Sequence, residues 1–335
     1  MSADSFTLKG KKFLVTGGTG SFGHKFVETL LSKYEPSKLI IFSRDELKQH
    51  EMAQIFSPEK YPCLRYFIGD VRDKDRLSMA MRDIDCVIHA AAMKHITAAE
   101  YNPFECIATN VLGAENIVTA ALQNNVKRVL ALSTDKAVNP VNLYGASKLA
   151  ADKIIGAANN LAGSAQTRFS SVRYGNVLGS RGSVIPVFKK MLNNGATELP
   201  ITDPRMTRFW ITLEAGIKFV IACLEDMYGG EIFVPKIPSM KMTDLADVMS
   251  PNLPQTTIGI RPGEKLHEVM ISEDDSRHTL DQGHRFVIEP EFCFWDRQPQ
   301  KGEAVPEGFR YSSDTNDEWM TADKLKSILA ELDKE

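Results

Sequence analysis

The sequence predicts an α/β fold in which a doubly wound parallel sheet carries a smaller, discontinuous C-terminal lobe. Three observations point there. Short apolar runs alternate with stretches of helical periodicity, a glycine-rich turn joins the first such run to the first helix, and polar residues collect directly after the runs. In an open parallel sheet the carboxyl ends of the strands line the ligand crevice, so polar strand ends mark the candidate site.

Lys12-Phe13-Leu14-Val15-Thr16 reads as the first buried strand. It runs into Gly17-Gly18-Thr19-Gly20-Ser21-Phe22-Gly23, after which Phe26, Val27, Leu30 and Leu31 recur at helical spacing. Glycines in this turn permit positive φ and let backbone N–H groups approach a pyrophosphate at the positive end of the helix. Strand, glycine turn and amphipathic helix in that order favour a Rossmann-like dinucleotide site, with residues 17–23 as its phosphate cradle, over an ordinary tight turn.

The second strand, Leu39-Ile40-Ile41-Phe42, ends at Ser43-Arg44-Asp45. A hydroxyl and a permanently charged planar guanidinium suit a 2′-phosphate, which favours NADP, while Asp45 retains the alternative of binding the ribose of NAD. Lys48, one turn on, either adds charge there or is a solvated helix lysine. Leu64-Arg65-Tyr66-Phe67-Ile68 stops at Gly69-Asp70-Val71, and Cys86-Val87-Ile88-His89 stops at Ala90-Ala91-Ala92. Asp70 and Val71 are thereby placed near adenine and the three alanines near the cofactor backbone. Lys94 follows, either reaching a phosphate or substrate oxygen or belonging to a polar loop with His95.

The strand Arg128-Val129-Leu130-Ala131-Leu132 leads into Ser133-Thr134-Asp135-Lys136, and a helix begins near Tyr144-Gly145-Ala146-Ser147-Lys148. Tyr144 and Lys148 share one helical face. An ammonium beside a phenol favours the phenolate, so the spacing predicts a lowered tyrosine pKa and a base at Tyr144. Phe169-Ser170-Ser171-Val172-Arg173 is the next strand, and it places Asn176 beside the crevice, unless Asn176 is a turn residue only. Arg205, Arg208 and Arg261 suit a nucleotide diphosphate, with structural ion pairs as the alternative for each.

Farther along, the helix between Pro103 and Gln123 carries Ile107, Val111, Ile117 and Val118 for core packing or a subunit contact, with core preferred. The nucleotide lobe spans residues 1–178 and takes back about 211–236, including a helix over 213–224 and a strand near 232–234. Residues 179–210 and 237–335 form the substrate lobe and C-terminal segment. There, Gln298-Pro299-Gln300-Lys301-Gly302 reads as a surface loop, and a helix spans 321–332.

Composition excludes several classes. With 43% hydrophobic residues the chain buries a large core, and a formal net charge of -3 with dispersed basic residues gives no attraction to nucleic acid. Its five cysteines are widely spaced with no CxxC pair, so neither a metal site nor a disulfide scaffold is expected. No basic leader or long apolar stretch occurs, and a cytoplasmic protein without membrane contact is expected.

The chain resembles the extended short-chain dehydrogenase/reductases. More closely, it is similar to the inverting UDP-N-acetylglucosamine 4,6-dehydratases that start pseudaminic acid synthesis for flagellin glycosylation. The stretches that carry the resemblance are TGGTGSFG (16–23), SRDELKQ (43–49), GDVRDKDRL (69–77), HAAAMKH (89–95), STDKAVNPVNLYGASK (133–148), VRYGNVLGSRGSV (172–184), TRFWITL (207–213), GGEIFVPKIPSMK (229–241) and IRPGEKLHEVM (260–270).

The resemblance implies a bound NADP that is reduced and reoxidised within one cycle. Tyr144, helped by Thr134 and Lys148, would take the 4-hydroxyl proton, Lys136 would remove the proton at carbon 5, and Asp135 would protonate the departing 6-hydroxyl. Lys136 is the discriminating residue, because the retaining sugar-nucleotide dehydratases carry glutamate there. Burial and the nearby Lys148 ammonium would favour a neutral Lys136 and Asp135 would oppose it, so the sequence leaves the sign of its shift open. Asn176, Arg181, Arg205, Arg208, Arg261, Glu264, Lys94 and Thr134 form the implied substrate set, and a homo-oligomer, often a hexamer, is implied as well. Rival readings are a UDP-hexose 4-epimerase, a capsule or O-antigen dehydratase that also epimerises the sugar, and a non-catalytic NADP-binding regulator.

Overall fold

The computed structural model describes residues 6–163, 166–180 and 182–332. Six strands build the nucleotide half: β1 (Lys12–Thr16), β2 (Lys38–Ser43), β3 (Leu64–Ile68), β4 (Cys86–His89), β5 (Arg128–Thr134) and β6 (Arg168–Tyr174). They lie parallel in the order β3-β2-β1-β4-β5-β6. Strand order reverses between β1 and β4, and that switch point opens the crevice for a dinucleotide.

Side-chain alternation explains why the strands are apolar on both faces. Phe13, Val15, Leu39 and Ile41 pack on one side with Phe26, Leu30 and Val220, while Leu14, Ile40, Phe42 and Val87 pack on the other with Leu77, Ile117 and Ile155. Phe13 and Leu14 are wholly buried, and each such side chain contributes about 1.5–3 kcal/mol relative to exposure.

β5 and β6 each run farther than their apolar cores indicate, to Thr134 and Tyr174, because parallel pairing continues through Ser133↔Arg173 and Thr134↔Tyr174. The strand Ile232–Pro235 joins β6 in parallel. Beyond it the sheet takes in Arg285–Ile288, Thr279–Asp281 and Glu303–Ala304, all antiparallel, for ten strands in total. The sequence reading had assigned residues 279–304 to the second lobe, so the sheet reaches farther down the chain than that division.

Around Trp210 the other half of the molecule gathers Leu178, Ile185, Met240, Leu245, Met320 and Leu325, and the helix Ala322–Leu332 closes this cluster. Gln300 departs from a pure surface loop. It is buried, and its side-chain amide donates to the Asp226 carbonyl at 3.0 Å and to Glu231 at 3.2 Å.

The expected helix over 103–123 is three pieces: Pro103–Ile107, a π turn over Ala108–Leu112, and Gly113–Gln123. Ile117 and Val118 enter the core, while Ile107 and Val111 stay half-buried. The π turn aims the buried Asn110 at the neighbouring helix. Its amide donates to Ser147 Oγ at 2.9 Å and to the Met93 carbonyl at 3.0 Å, and its carbonyl accepts from Met93 N at 2.8 Å. Among the described residues no helix is long and apolar enough to cross a membrane.

Candidate active site

A cavity of about 1000 Å³ opens along the carboxyl ends of the strands, lined on one side by the glycine turn and on the other by residues 174–213 and 261–268. Gly17 has φ +65°, and a Cβ there would stand 2.9 Å from the Ala91 backbone. That approach holds the turn against Ala90 and Ala91, whose N–H groups both donate to Thr16 Oγ1 at 3.2 Å. Gly17, Thr19, Gly20, Ser21 and Phe22 line the cavity, as do Ala90, Ala91, Ala92 and Lys94.

Gly18 and Gly23 do not line it, contrary to their assignment as cofactor contacts. A Cβ on Gly23 would lie 2.1 Å from the Gly18 carbonyl, and one on Gly18 would lie 2.9 Å from Ile41. These two glycines let the first helix sit against the sheet. The turn that remains leads into the N-terminus of the helix Ser21–Lys33, the position at which a dinucleotide pyrophosphate is bound in open parallel sheets.

At the end of β2, Ser43 Oγ accepts from the Gln49 amide at 3.0 Å. Asp45 caps the next helix: its carboxylate accepts from Lys48 N at 3.0 Å and pairs with Lys48 Nζ at 3.0 Å. Lys48 therefore has its partner within its own turn. Arg44 is exposed over the cavity, its guanidinium 3.8 Å from Asp70. Asp70 is held mainly by Arg72 at 2.7 Å, and although burial opposes its charge, that pairing keeps its pKa below the ordinary range.

The chemical centre lies at the end of β5. Thr134 caps a short 3-10 turn, Asp135–Ala137, which places Asp135 beneath Lys136. Asp135 is wholly buried and does not itself line the cavity, whereas Thr134 and Lys136 do. Asp135 Oδ1 accepts from the Thr134 hydroxyl at 2.8 Å and from Lys136 Nζ at 3.0 Å. Lys136 Nζ also donates to Asn176 Oδ1 at 3.3 Å and stands 3.4 Å from Glu268 Oε1. Burial works against the lysine's charge, but Asp135 and Glu268 together outweigh it and hold its pKa above the ordinary lysine value. The resting side chain is an ammonium.

Tyr144, near the start of the helix Leu143–Leu161, corrects an expectation. Burial pushes its pKa up to about 12, against the pull of Lys136 and a hydrogen bond from Thr134. The adjacent Lys148 turns its Nζ to the Leu132 carbonyl at 2.6 Å, and burial of the phenol outweighs the cations around it. Burial also lowers the Lys148 pKa, opposed by Asp152.

Toward the second lobe, Arg208, Arg261 and Glu264 line the cavity, with Arg261 3.6 Å from Glu264. Arg208 is buried and donates to the carbonyls of Thr207, Leu266 and Lys265, so it fixes the 265–268 segment as well as facing the cavity. Arg205 does not line it; its guanidinium pairs with Asp203 at 2.8 Å on the exposed side. Arg181 lies outside the described residues. Sequence reasoning missed the roles of Glu268 and Lys265, both cavity-lining. The one available signal was their place behind Arg261 in a single charged turn.

Residues 13–290 match the polysaccharide biosynthesis protein family. A protein of Campylobacter jejuni named UDP-N-acetylglucosamine 4,6-dehydratase (inverting) is 60% identical over 95% of this chain and 97% of its own. A UDP-glucose 4-epimerase of Rickettsia canadensis is 41% identical over 83% of this chain and 82% of its own. Among solved structures, Pen from Bacillus thuringiensis shares 35% identity and a TM-score of 0.88, covering 97% of this chain and 100% of that one.

Proposed function

The chain belongs to the polysaccharide biosynthesis protein family, alongside inverting sugar-nucleotide dehydratases, and from that membership we propose that it is an inverting UDP-N-acetylglucosamine 4,6-dehydratase. Its product is UDP-2-acetamido-2,6-dideoxy-β-L-arabino-hex-4-ulose, the first intermediate on the route to pseudaminic acid. The observation that carries the reading is the Lys136–Asp135 pair beside Tyr144 at the end of β5, an acid and a base next to a redox-competent hydroxyl site.

Residues 17 and 19–22 hold the pyrophosphate, Ser43 and Arg44 the 2′-phosphate, and Asp70 and Val71 the adenine side. Bound there, NADP would supply the hydride acceptor for oxidation at carbon 4 and the hydride donor for reduction at carbon 6. Tyr144, as the phenolate that a bound nicotinamide cation would favour, takes the proton from the 4-hydroxyl, and the resulting ketone acidifies carbon 5. Lys136, as the free amine, removes the carbon 5 proton. Asp135 is buried below the cavity floor, so its proton reaches the 6-hydroxyl through the Thr134 hydroxyl, which bonds to it and faces the sugar. Water leaves, and carbon 5 is reprotonated on the opposite face.

Arg261 and Arg208 face the diphosphate, and Asn176 holds Lys136 on line. A 4-epimerase needs Tyr144 and the cofactor but no acid/base pair, so Asp135 and Lys136 favour elimination. Incubation of the purified protein with UDP-N-acetylglucosamine and no reductant tests this. Loss of one water from the sugar by mass spectrometry supports it, and isomerisation without loss of mass overturns it.

A further inference from the structure

A lysine flanked by carboxylates is a strong base that is rarely free, and the structure surrounds Lys136 with an anion that neither the motif reading nor the acid/base pair uses. Glu268 precedes the strand Val269–Ile271 and is 2% exposed. Its backbone is locked, with Glu268 N donating to Ser313 Oγ at 2.9 Å and its carbonyl accepting from Ser313 N at 2.8 Å. The carboxylate lies 3.4 Å from Lys136 Nζ, 3.7 Å from Arg208 Nε and 3.8 Å from Lys265 Nζ. Its Oε2 accepts no hydrogen bond. A buried carboxylate held this firmly, with an oxygen left unbonded, acts through its charge.

We propose that Glu268 is a positioning residue for dehydration, setting the proton affinity of Lys136 and the direction in which the Lys136–Asp135 proton lies. The inference rests on the dehydratase reading above. Charged and titratable groups facing Lys136 are Asp135 on its own turn, Tyr144 on the following helix, Arg208 on its strand, and Lys265 and Glu268 on the closing segment.

At rest the Lys136 ammonium donates to Asp135 Oδ1. A proton passes from Nζ to Asp135 Oδ1 along the 3.0 Å hydrogen bond, leaving an amine and a carboxylic acid. The amine's lone pair takes the carbon 5 proton, the carbon–hydrogen electron pair forms the double bond to carbon 6, and the bond to the 6-oxygen breaks as that oxygen receives the Asp135 proton by way of Thr134. The pair thus returns to ammonium and carboxylate with one water released. Glu268 stabilises the ammonium both before the transfer to Asp135 and after the carbon 5 proton is taken, so it sets how far the pair lies toward ammonium rather than amine.

The test is competitive acetylation of lysines across a pH series, read by mass spectrometry, in wild type, Glu268→Gln and Glu268→Asp, with exposed Lys9 as internal standard. Lys136 lines the cavity with a side chain 23% exposed, so a small reagent reaches it. In wild type it stays unreactive past the ordinary lysine midpoint of about 10.4. In Glu268→Gln the midpoint drops by about one unit or more.

Charge and packing separate cleanly in the third protein. Glu268→Asp keeps the anion and restores the high midpoint, whereas a packing role makes the near-isosteric Gln the milder change. Equal midpoints in wild type and Glu268→Gln, with only a lower Tm, overturn the proposal. Because acetylation reads the pairing without turnover, failure of the dehydratase reading has its own signature, a shifted midpoint with no dehydrated product from wild type.

Discussion

Lys136 Nζ lies 3.0 Å from Asp135 Oδ1, and the same oxygen accepts the Thr134 hydroxyl at 2.8 Å. One carboxylate oxygen therefore connects the proposed base to a hydroxyl that lines the same cavity. Lys136→Ala removes the base and leaves the cofactor cradle untouched. The variant is expected to bind NADP and to show a single reduction of it with UDP-N-acetylglucosamine, read at 340 nm, while dehydration falls by about 10²–10⁴-fold or more. Full dehydration by this variant would refute the assigned base.

Tyr144 carries the second prediction. With burial holding its pKa at about 12, the tyrosine is a phenol in the ligand-free protein at neutral pH. Oxidised nicotinamide brings a positive charge, and a cation near a phenol favours its ionised form. The ultraviolet difference titration of wild type minus Tyr144→Phe should show a midpoint near 12 without cofactor and a lower one with NADP bound. Tyr144→Phe itself should block the first hydride transfer, so no transient absorbance at 340 nm appears.

His89 ties pH to stability. It is buried at the end of β4 with Nδ1 2.8 Å from Thr16 Oγ1, and burial, aided by Lys148, lowers its pKa to about 3. The unfolded chain binds a proton near the ordinary value of about 6.5 and the folded chain does not, so the histidine's contribution is present above that value and is lost as pH falls toward 3. Between those limits stability should fall by about 1.4 kcal/mol per pH unit from this group. His89→Gln should flatten that slope in urea unfolding at pH 4 to 6, and an unchanged slope would show that another group sets it.

Arg44 is the fourth. Its guanidinium is exposed above the cavity, 3.8 Å from Asp70, while Asp45 is occupied as a helix cap. Arg44→Ala should raise the Kd for NADP about 10- to 100-fold and leave the Kd for NAD nearly unchanged, by the loss of one charge-assisted phosphate contact. Equal weakening of both cofactors would assign Arg44 to packing.

The sheet was legible because its central parallel strands are buried and apolar on both faces, so Lys12–Thr16 and Cys86–His89 end where their apolar runs end. β5 overran its run because pairing with β6 holds Ser133 and Thr134 extended regardless of polarity. The strands over 279–304 are short and antiparallel, too brief for a period to show. At the site, motif residues clustered where strand ends predict. Arg205 did not, because an Asp two residues earlier captures it.

The Tyr144 shift was misread for a physical reason. Helical spacing shows which residues share a face but not that Lys148 turns to a backbone carbonyl, nor how completely the phenol is buried. Glu268 was invisible as a partner of Lys136 because only the tertiary fold brings residues so distant in sequence to 3.4 Å.

The most direct test of the account is proton NMR of UDP-N-acetylglucosamine with the purified protein in heavy water, without added reductant. A new methyl group at carbon 6, with deuterium at an inverted carbon 5, is the result predicted by a base at Lys136 and hydride returned from the same cofactor. A methyl with retained configuration would contradict the stereochemical course given to Lys136, and no methyl at all would contradict dehydration itself.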